Sequence, residues 1–285
     1  MNDLNEDAIE QNLIELLIHQ GYQYFHGSRL VASGDNPQRT DFDSVILEHQ
    51  FKSSLKSLNP NIPDTALVEA YQQVINLGSN DIMTNNEHFH QMMTDGINVE
   101  VFQESESSGA LVKIIDIDHF ENNVFWVVNQ FVIKENNQSK RLDVVLFVNG
   151  LPLVVIELKS AISEKATLDR AYTQIQNYKH AIPSIFYYNA LCVISDGLDA
   201  RTSSVSAPYS RYLTWKSPDK KENGVLPELQ IMADNMLTPD VLLNLIRFNT
   251  VFESEEVKDE TTGLLSLVKI KKIAAYHQYY VVKKA

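Results

Sequence analysis

Residues Arg141 to Lys159 read RLDVVLFVNGLPLVVIELK, and this stretch decides the fold. Two apolar runs, Val144–Val148 and Leu151–Ile156, flank an Asn149-Gly150 dipeptide. Asn-Gly between such runs predicts a two-residue hairpin, because both residues accept positive φ. Into this apolar hairpin the chain places Asp143, Glu157 and Lys159. A charge in a sheet core is costly unless it is paired or bound to metal, so three of them mark a candidate site.

With Asn149-Gly150 as the turn, Asp143 falls opposite Ile156 and Glu157 opposite Leu142; a one-residue bulge would set Asp143 directly across from Glu157. Either register brings the carboxylates from neighbouring strands. Glu157 and Lys159, two residues apart, leave the same face of one strand. Two carboxylates and an ammonium at a sheet edge can hold a divalent cation, and Mg²⁺ favours one or two carboxylates with waters and phosphate oxygens.

Asp143, then Glu157-Leu158-Lys159, across a hairpin, resembles the PD-(D/E)xK nuclease superfamily, with Leu142-Asp143 as its first half. A helix is predicted immediately afterwards, and its Gln174-x-x-x-Tyr178 looks like the additional motif of the RecB-like branch. The wider text, RLDVVLFVNGLPLVVIELKS, AYTQIQNY and LCVISDG, resembles the N-terminal nuclease domain of the type I restriction enzyme R (motor) subunit. IEQNLIELLIHQGYQY is similar to that family's first helix, and KIAAYHQYYVVKKA to the segment leading into its helicase motor. No Gly-x-x-x-x-Gly-Lys-[Ser/Thr] loop occurs, so no ATP site of that kind is present. The chain looks like a nuclease domain that stops ahead of a motor.

The resemblance implies an α/β, restriction-endonuclease-like core: a mixed central β-sheet flanked by helices on both faces. It implies a Mg²⁺-dependent endonuclease that hydrolyses phosphodiester bonds of duplex DNA, with Mn²⁺ able to substitute. Asp143, Glu157 and the Leu158 carbonyl would ligate the ion. Lys159 would position or activate water and neutralise charge on the phosphate. Gln174 would bond substrate or a coordinated water, and Tyr178 a phosphate or Lys159. Glu10 matches the acidic position of the first helix and would ligate or orient; Arg170 and Lys216 would contact DNA. The full subunit would translocate DNA with ATP, in complex with methyltransferase and specificity subunits, in the cytoplasm. Two other readings stand beside this one: a non-catalytic docking module that anchors the motor, and a stand-alone repair or recombination nuclease of the same superfamily.

Composition sets bounds. The 285 residues suit one large domain or two small ones, with 44% hydrophobic content for a core. No run of eighteen apolar residues suggests a membrane span. The single cysteine, Cys192, lies in the apolar run ALCVIS and reads as a buried small hydrophobe. The net charge of −13 is unevenly spread: residues 1–100 carry 4 Lys/Arg against 15 Asp/Glu, and residues 139–221 carry 11 against 7. The basic excess surrounds the suspected site, where phosphate contacts would be needed.

Along the chain, residues 1–100 read as mainly helical, 97–235 as the nuclease core and 236–285 as a helical segment leading toward a motor. Helices are predicted over 6–20, 42–58 (cap Asp41), 64–77 (cap Asp64) and Ser163 to about His180, and near His88–Met93. Strands are predicted in NVEVF, ALVKIIDID, NVFWVVNQFVI and 190–195, with another over 209–216; 135–140 and 216–224 are loops, and VLLNLIRF after Pro239 is helical again. The His-x-His pair His88 and His90 has no supporting carboxylate or thiol pattern. Asp116 and Asp118 read as solvent-facing strand residues, and Trp215 as buried.

Overall fold

A computed structural model describes residues 5–103, 106–160, 168–224, 226–258 and 265–284. The chain opens on α1 (Glu6–His19), where the side chain of Asn5 accepts from the Ala8 N–H and satisfies an orphan donor of the first turn. The face with Ile9, Leu13 and Leu17 is buried, as their spacing predicts, and Glu10 is buried with them. β1 (Gln23–His26) follows directly.

The helix predicted from residue 42 starts later, as α2 (Glu48–Leu58). Asp41 does accept from the N–H groups of Asp43 and Ser44, but the turn does not propagate. Val45, Ile46 and Leu47 are buried instead, and the Leu47 N–H donates to the Gly150 carbonyl. Tertiary burial thus overrides local propensity. In α3 (Asp64–Ile75) Pro63 holds the cap position and Asp64 is the first helical residue, paired with Lys56. The stretch predicted to hold only a short helix forms α4 (Ile82–Asp95), capped by Asp81 on the Thr84 N–H. Its buried face carries Asn85, Asn86 and His90, which hid its amphipathic pattern.

β2 (Ile97–Gln103) and β3 (Glu106–Val112) form a separate antiparallel pair. The strand predicted to run on to Asp118 ends at Val112. Asp116 is buried in a turn, contrary to the solvent-facing reading, and accepts from the Asn122 side chain and the His119 N–H. Asp118 is exposed.

The main sheet has six strands in the order β1-β4-β5-β6-β7-β8, from β4 (Phe125–Glu135), β5 (Gln138–Val148), β6 (Leu151–Leu158), β7 (Leu191–Ser195) and β8 (Ala200–Ser203). β1 pairs parallel to β4 and β6 parallel to β7, while the other pairs are antiparallel, so the sheet is mixed. Every residue of β6 is buried, which requires cover on both faces of the sheet. α1 packs against β1, β4 and β6, and α5 (Leu168–Ala181) against β5, β6 and β7. This is the α/β, restriction-endonuclease-like architecture. The residue predicted to cap α5, Ser163, lies outside the described residues.

Beyond α5 come α6 (Ser184–Tyr187) and, after β8, α7 (Glu228–Asn235), which packs on α1. No strand spans 209–216; Leu213 makes only an isolated bridge to Thr202. α8 (Pro239–Phe248) carries its proline at the helix start, where the missing N–H is harmless. Residues 236–285 are not helical throughout. Between α8 and α9 (Tyr276–Lys284), β9 (Thr250–Lys258) and β10 (Leu265–Ile273) pair as an antiparallel ribbon. Their exposed apolar residues, with Lys and Glu between them, conceal the alternation that would announce strands. Among the described residues no helix is long and apolar enough to cross a membrane.

Candidate active site

The turn that builds the site adopts the predicted form. Asn149 has φ 54 and Gly150 φ 84, both positive. A Cβ at Gly150 would lie 2.7 Å from the Leu47 carbonyl oxygen, so only glycine meets both the conformation and the approach. The Asn149 side chain accepts from the Val124 N–H and donates to the Ile114 carbonyl and to Asn123.

The register then shifts. Next to the turn Val148 faces Leu151, but beyond Leu146 the partners are Leu146↔Val154 and Val144↔Ile156, with Leu153 as the extra residue. Carried one residue further, this places Asp143 across from Glu157, the bulged alternative of the sequence reading. Asp143 Oδ2 accepts from the Leu158 N–H at 2.8 Å, fixing one carboxylate against the neighbouring strand. Lys159 Nζ donates to Glu157 Oε1 at 2.6 Å and to the Leu158 carbonyl at 2.8 Å. Its own N–H donates to Ser195, which anchors the end of β6 to β7. Asp143, Glu157 and Lys159 therefore meet at one point.

Burial sets the electrostatics. Glu157 is 2% exposed, whereas the Lys159 side chain is 21% exposed and Asp143 half-buried, so the lysine and Asp143 form the open side. Burial first, then the neighbouring Asp143 charge, pushes the Glu157 carboxyl up to about 8, against the pull of Lys159. Burial also raises Asp143 above the usual carboxylate range, with the Leu158 N–H and Lys159 opposing. For Lys159 burial works downward, but Glu157 prevails and the ammonium is held above its ordinary range. Two carboxyls raised side by side mark a place short of positive charge.

Tyr178 and Gln174 lie one helical turn apart on α5, and Gln174 hydrogen-bonds the tyrosine. Tyr178 is buried rather than facing a cleft, and its hydroxyl donates to the Arg141 carbonyl at 3.1 Å instead of to Lys159. It sits beside Glu157, but its single proton is committed to Arg141. Among the described residues Glu157 Oε2 is buried with the Tyr178 hydroxyl as its neighbouring donor, and that hydroxyl is bonded to the Arg141 carbonyl.

Glu10 reaches the site from α1. Its oxygens accept from Asn129 Nδ2 and Gln130 Nε2, each at 2.6 Å, and its charge acts on Asp143 together with that of Glu6. Among the described residues no group of three or more His, Cys, Asp or Glu is gathered tightly enough to hold an ion. Asp143, Glu157 and the Leu158 carbonyl are the oxygens that could hold an ion here, with Glu10 held beside them by Asn129 and Gln130. The paired carboxyls fit a hard cation that takes its remaining ligands from water and phosphate. The Leu158 carbonyl accepts from Lys159 with one lone pair, which leaves its second for an ion.

Of the other candidates, Arg170 is exposed near the start of α5. Lys216 is exposed with its ammonium 5.9 Å from the Tyr276 ring, beside the C-terminal helix. Trp215 is buried, its Nε1–H on the Tyr280 hydroxyl, and Cys192 is buried and free. His88 is exposed while His90 is buried against Phe252, so the two do not converge. The site draws on Asn129 and Gln130, which the sequence reading passed over; a polar pair interrupting the apolar run 124–133 was the available signal.

Comparison with known proteins gives the family. The chain is 36% identical over 99% of its length to the type I restriction enzyme HindI endonuclease subunit of Haemophilus influenzae, of which it covers 26%. It is 29% identical over 99% of its length to a putative type I restriction enzyme MjaIXP endonuclease subunit of Methanocaldococcus jannaschii, covering 27% of it. Against the EcoprrI endonuclease subunit of Escherichia coli it is 23% identical, over 88% of this chain and 76% of that one. The chain thus spans about a quarter of the length of the first two relatives. The family described as "Type I restriction enzyme R protein N terminus" matches residues 3–211, and the chain belongs to that family.

Proposed function

We propose that this chain is the nuclease-bearing N-terminal region of a type I restriction enzyme R subunit, of the PD-(D/E)xK kind. Its reaction is Mg²⁺-dependent hydrolysis of phosphodiester bonds in duplex DNA. The observation that carries this reading is the Asp143–Glu157 pair on adjacent strands, Asp143 on the open side and Glu157 buried, with Lys159 bonded to Glu157. Mg²⁺, or Mn²⁺ in its place, would polarise the scissile phosphate and lower the pKa of water.

The remaining work falls to the chain. Asp143 and Glu157 present oxygens toward one point, and the Leu158 N–H keeps Asp143 from swinging away. Two of the three Lys159 protons have partners among the described residues, and the third would meet a phosphate oxygen, where an ammonium stabilises gathering negative charge. Gln174 and Tyr178 brace the wall beside Glu157 and keep it dry, and a dry wall strengthens every charge interaction inside it. The exposed Arg170 would contact a DNA phosphate. The complete subunit would add an ATP-driven motor and work with methyltransferase and specificity subunits in the cytoplasm, which deliver the DNA to a chain that is itself acidic.

Asp143→Ala and Lys159→Ala, each rebuilt into the full complex, test the assignment. Cleavage should fall at least about 100-fold while ATP hydrolysis and the circular dichroism of the isolated chain stay unchanged. Cutting at the wild-type rate by either variant would sink it.

A further inference from the structure

In a regular strand, consecutive side chains point to opposite faces. Asn129 and Gln130 of β4 break this rule, since both donate to the same carboxylate, that of Glu10. The break has a visible cause. Gln130 has φ 53, in the left-handed region that a non-glycine residue enters only at a cost. No residue is inserted there. The pairs on either side, Asn129↔Val144 and Phe131↔Leu142, belong to one register, and Gln130 itself is the unpaired position. That register sets Gln130 opposite Asp143. The kink therefore lies in one row with Asp143 and Glu157, across three adjacent strands.

The surroundings hold the kink in place. The Tyr24 hydroxyl donates to Asn129 Oδ1 at 3.1 Å and locks that amide with its NH₂ toward Glu10. Gly27 packs so closely that a Cβ there would lie 2.6 Å from the Gln130 carbonyl oxygen and 3.0 Å from that of Asn129. Strain kept at one residue, in one row with Asp143 and the buried Glu157, points to a positioning role rather than to a folding accident.

We propose that Gln130 is a positioning residue: its left-handed backbone turns its amide onto Glu10 and, with Asn129, clamps that third carboxylate beside the Asp143–Glu157 pair. The inference rests on the metal reading of the pair. Glu10 then acts from outside the ligand set, adding fixed negative charge that draws a divalent cation to the two acids. Without the clamp Glu10 would turn to water, where its charge is screened.

The test is Mn²⁺ binding to the 285-residue chain, read by calorimetry and by the electron paramagnetic resonance of free Mn²⁺, with thermal unfolding alongside. Gln130→Met removes the amide and keeps the side-chain length. It should weaken Mn²⁺ binding about 10-fold, the size seen when a partner behind a metal site is lost. Glu10→Gln should do the same, and the double variant should be no weaker than Glu10→Gln alone, because the two act as one unit. Gln130→Gly relieves the backbone and lacks the amide, so its melting temperature should hold or rise while Mn²⁺ binding stays weak; a purely structural residue would not separate these readouts. Wild-type affinity in Gln130→Met, or losses that multiply in the double variant, would overturn the clamp. Asp143→Asn keeps the two proposals apart. It should abolish binding, and Mn²⁺ binding that survives it overturns the metal reading together with the clamp.

Discussion

At the scale of the residue, the site is governed by one desolvated carboxyl. Folding holds Glu157 with its carboxyl pushed up to about 8 from an ordinary 4.5. The folded chain without metal therefore keeps a proton that the unfolded chain has released, and stability is lost as pH climbs through that window. In urea titrations without metal, wild type should lose more stability between pH 5 and pH 8 than Glu157→Gln does. Parallel pH profiles for the two would show that Glu157 is not the strained group. Tyr178 makes a different prediction. Tyr178→Phe removes the bond to the Arg141 carbonyl, which should cost about 1 kcal/mol of stability and slow DNA cutting in the full complex. A matching fall in ATPase would instead assign Tyr178 to the general architecture.

At the scale of the element, the hairpin of β5 and β6 is the instrument that brings acids 14 residues apart in sequence to neighbouring positions. Its turn fits against Leu47 and Phe51, so Gly150→Ala faces both a positive φ and a backbone clash. We expect a loss of about 2–4 kcal/mol, measured by chemical denaturation; a loss below 0.5 kcal/mol would mean that this packing is loose. The bulge at Leu153 matters equally, because a one-residue slip turns every side chain beyond it to the other face. Turn and strands were legible because Asn-Gly and two unbroken apolar runs are local signals. The choice between the two registers was not, since it depends on how the bulge is accommodated by β4 and β7. α4 and the β9–β10 ribbon were misread for a related reason. In α4 polar side chains are buried through partners distant in sequence, and Asn86 donates to the carbonyls of Phe186 and Asn189.

At the scale of the whole molecule, one buried lysine ties the C-terminal ribbon to the rest. Lys271 of β10 donates to Asn86 Oδ1 and to the Asn189 carbonyl, and its own carbonyl accepts from Ser204. Burial pulls its ammonium down to about 7 from 10.5. The unfolded chain thus binds a proton that the folded chain gives up, and stability is gained as pH rises from about 7 toward 10.5. Lys271→Met should lose ground to wild type across that window, at a slope approaching about 1.4 kcal/mol per pH unit. A difference between the two that is flat from pH 7 to pH 10 would show the ribbon held by packing alone.

The sequence by itself determined the central hairpin, the helix after it and the approach of Asp143, Glu157 and Lys159 across that hairpin, because turn chemistry, hydrophobic runs and a charged triplet are written in adjacent residues. Only the tertiary structure decided that Tyr178 faces Arg141, that Lys159 holds the Leu158 carbonyl, and that Asn129 and Gln130 turn together onto Glu10. Those bonds join elements far apart along the chain, and the burial that selects them exists only once β4, β5, β6 and the helices have closed around one another.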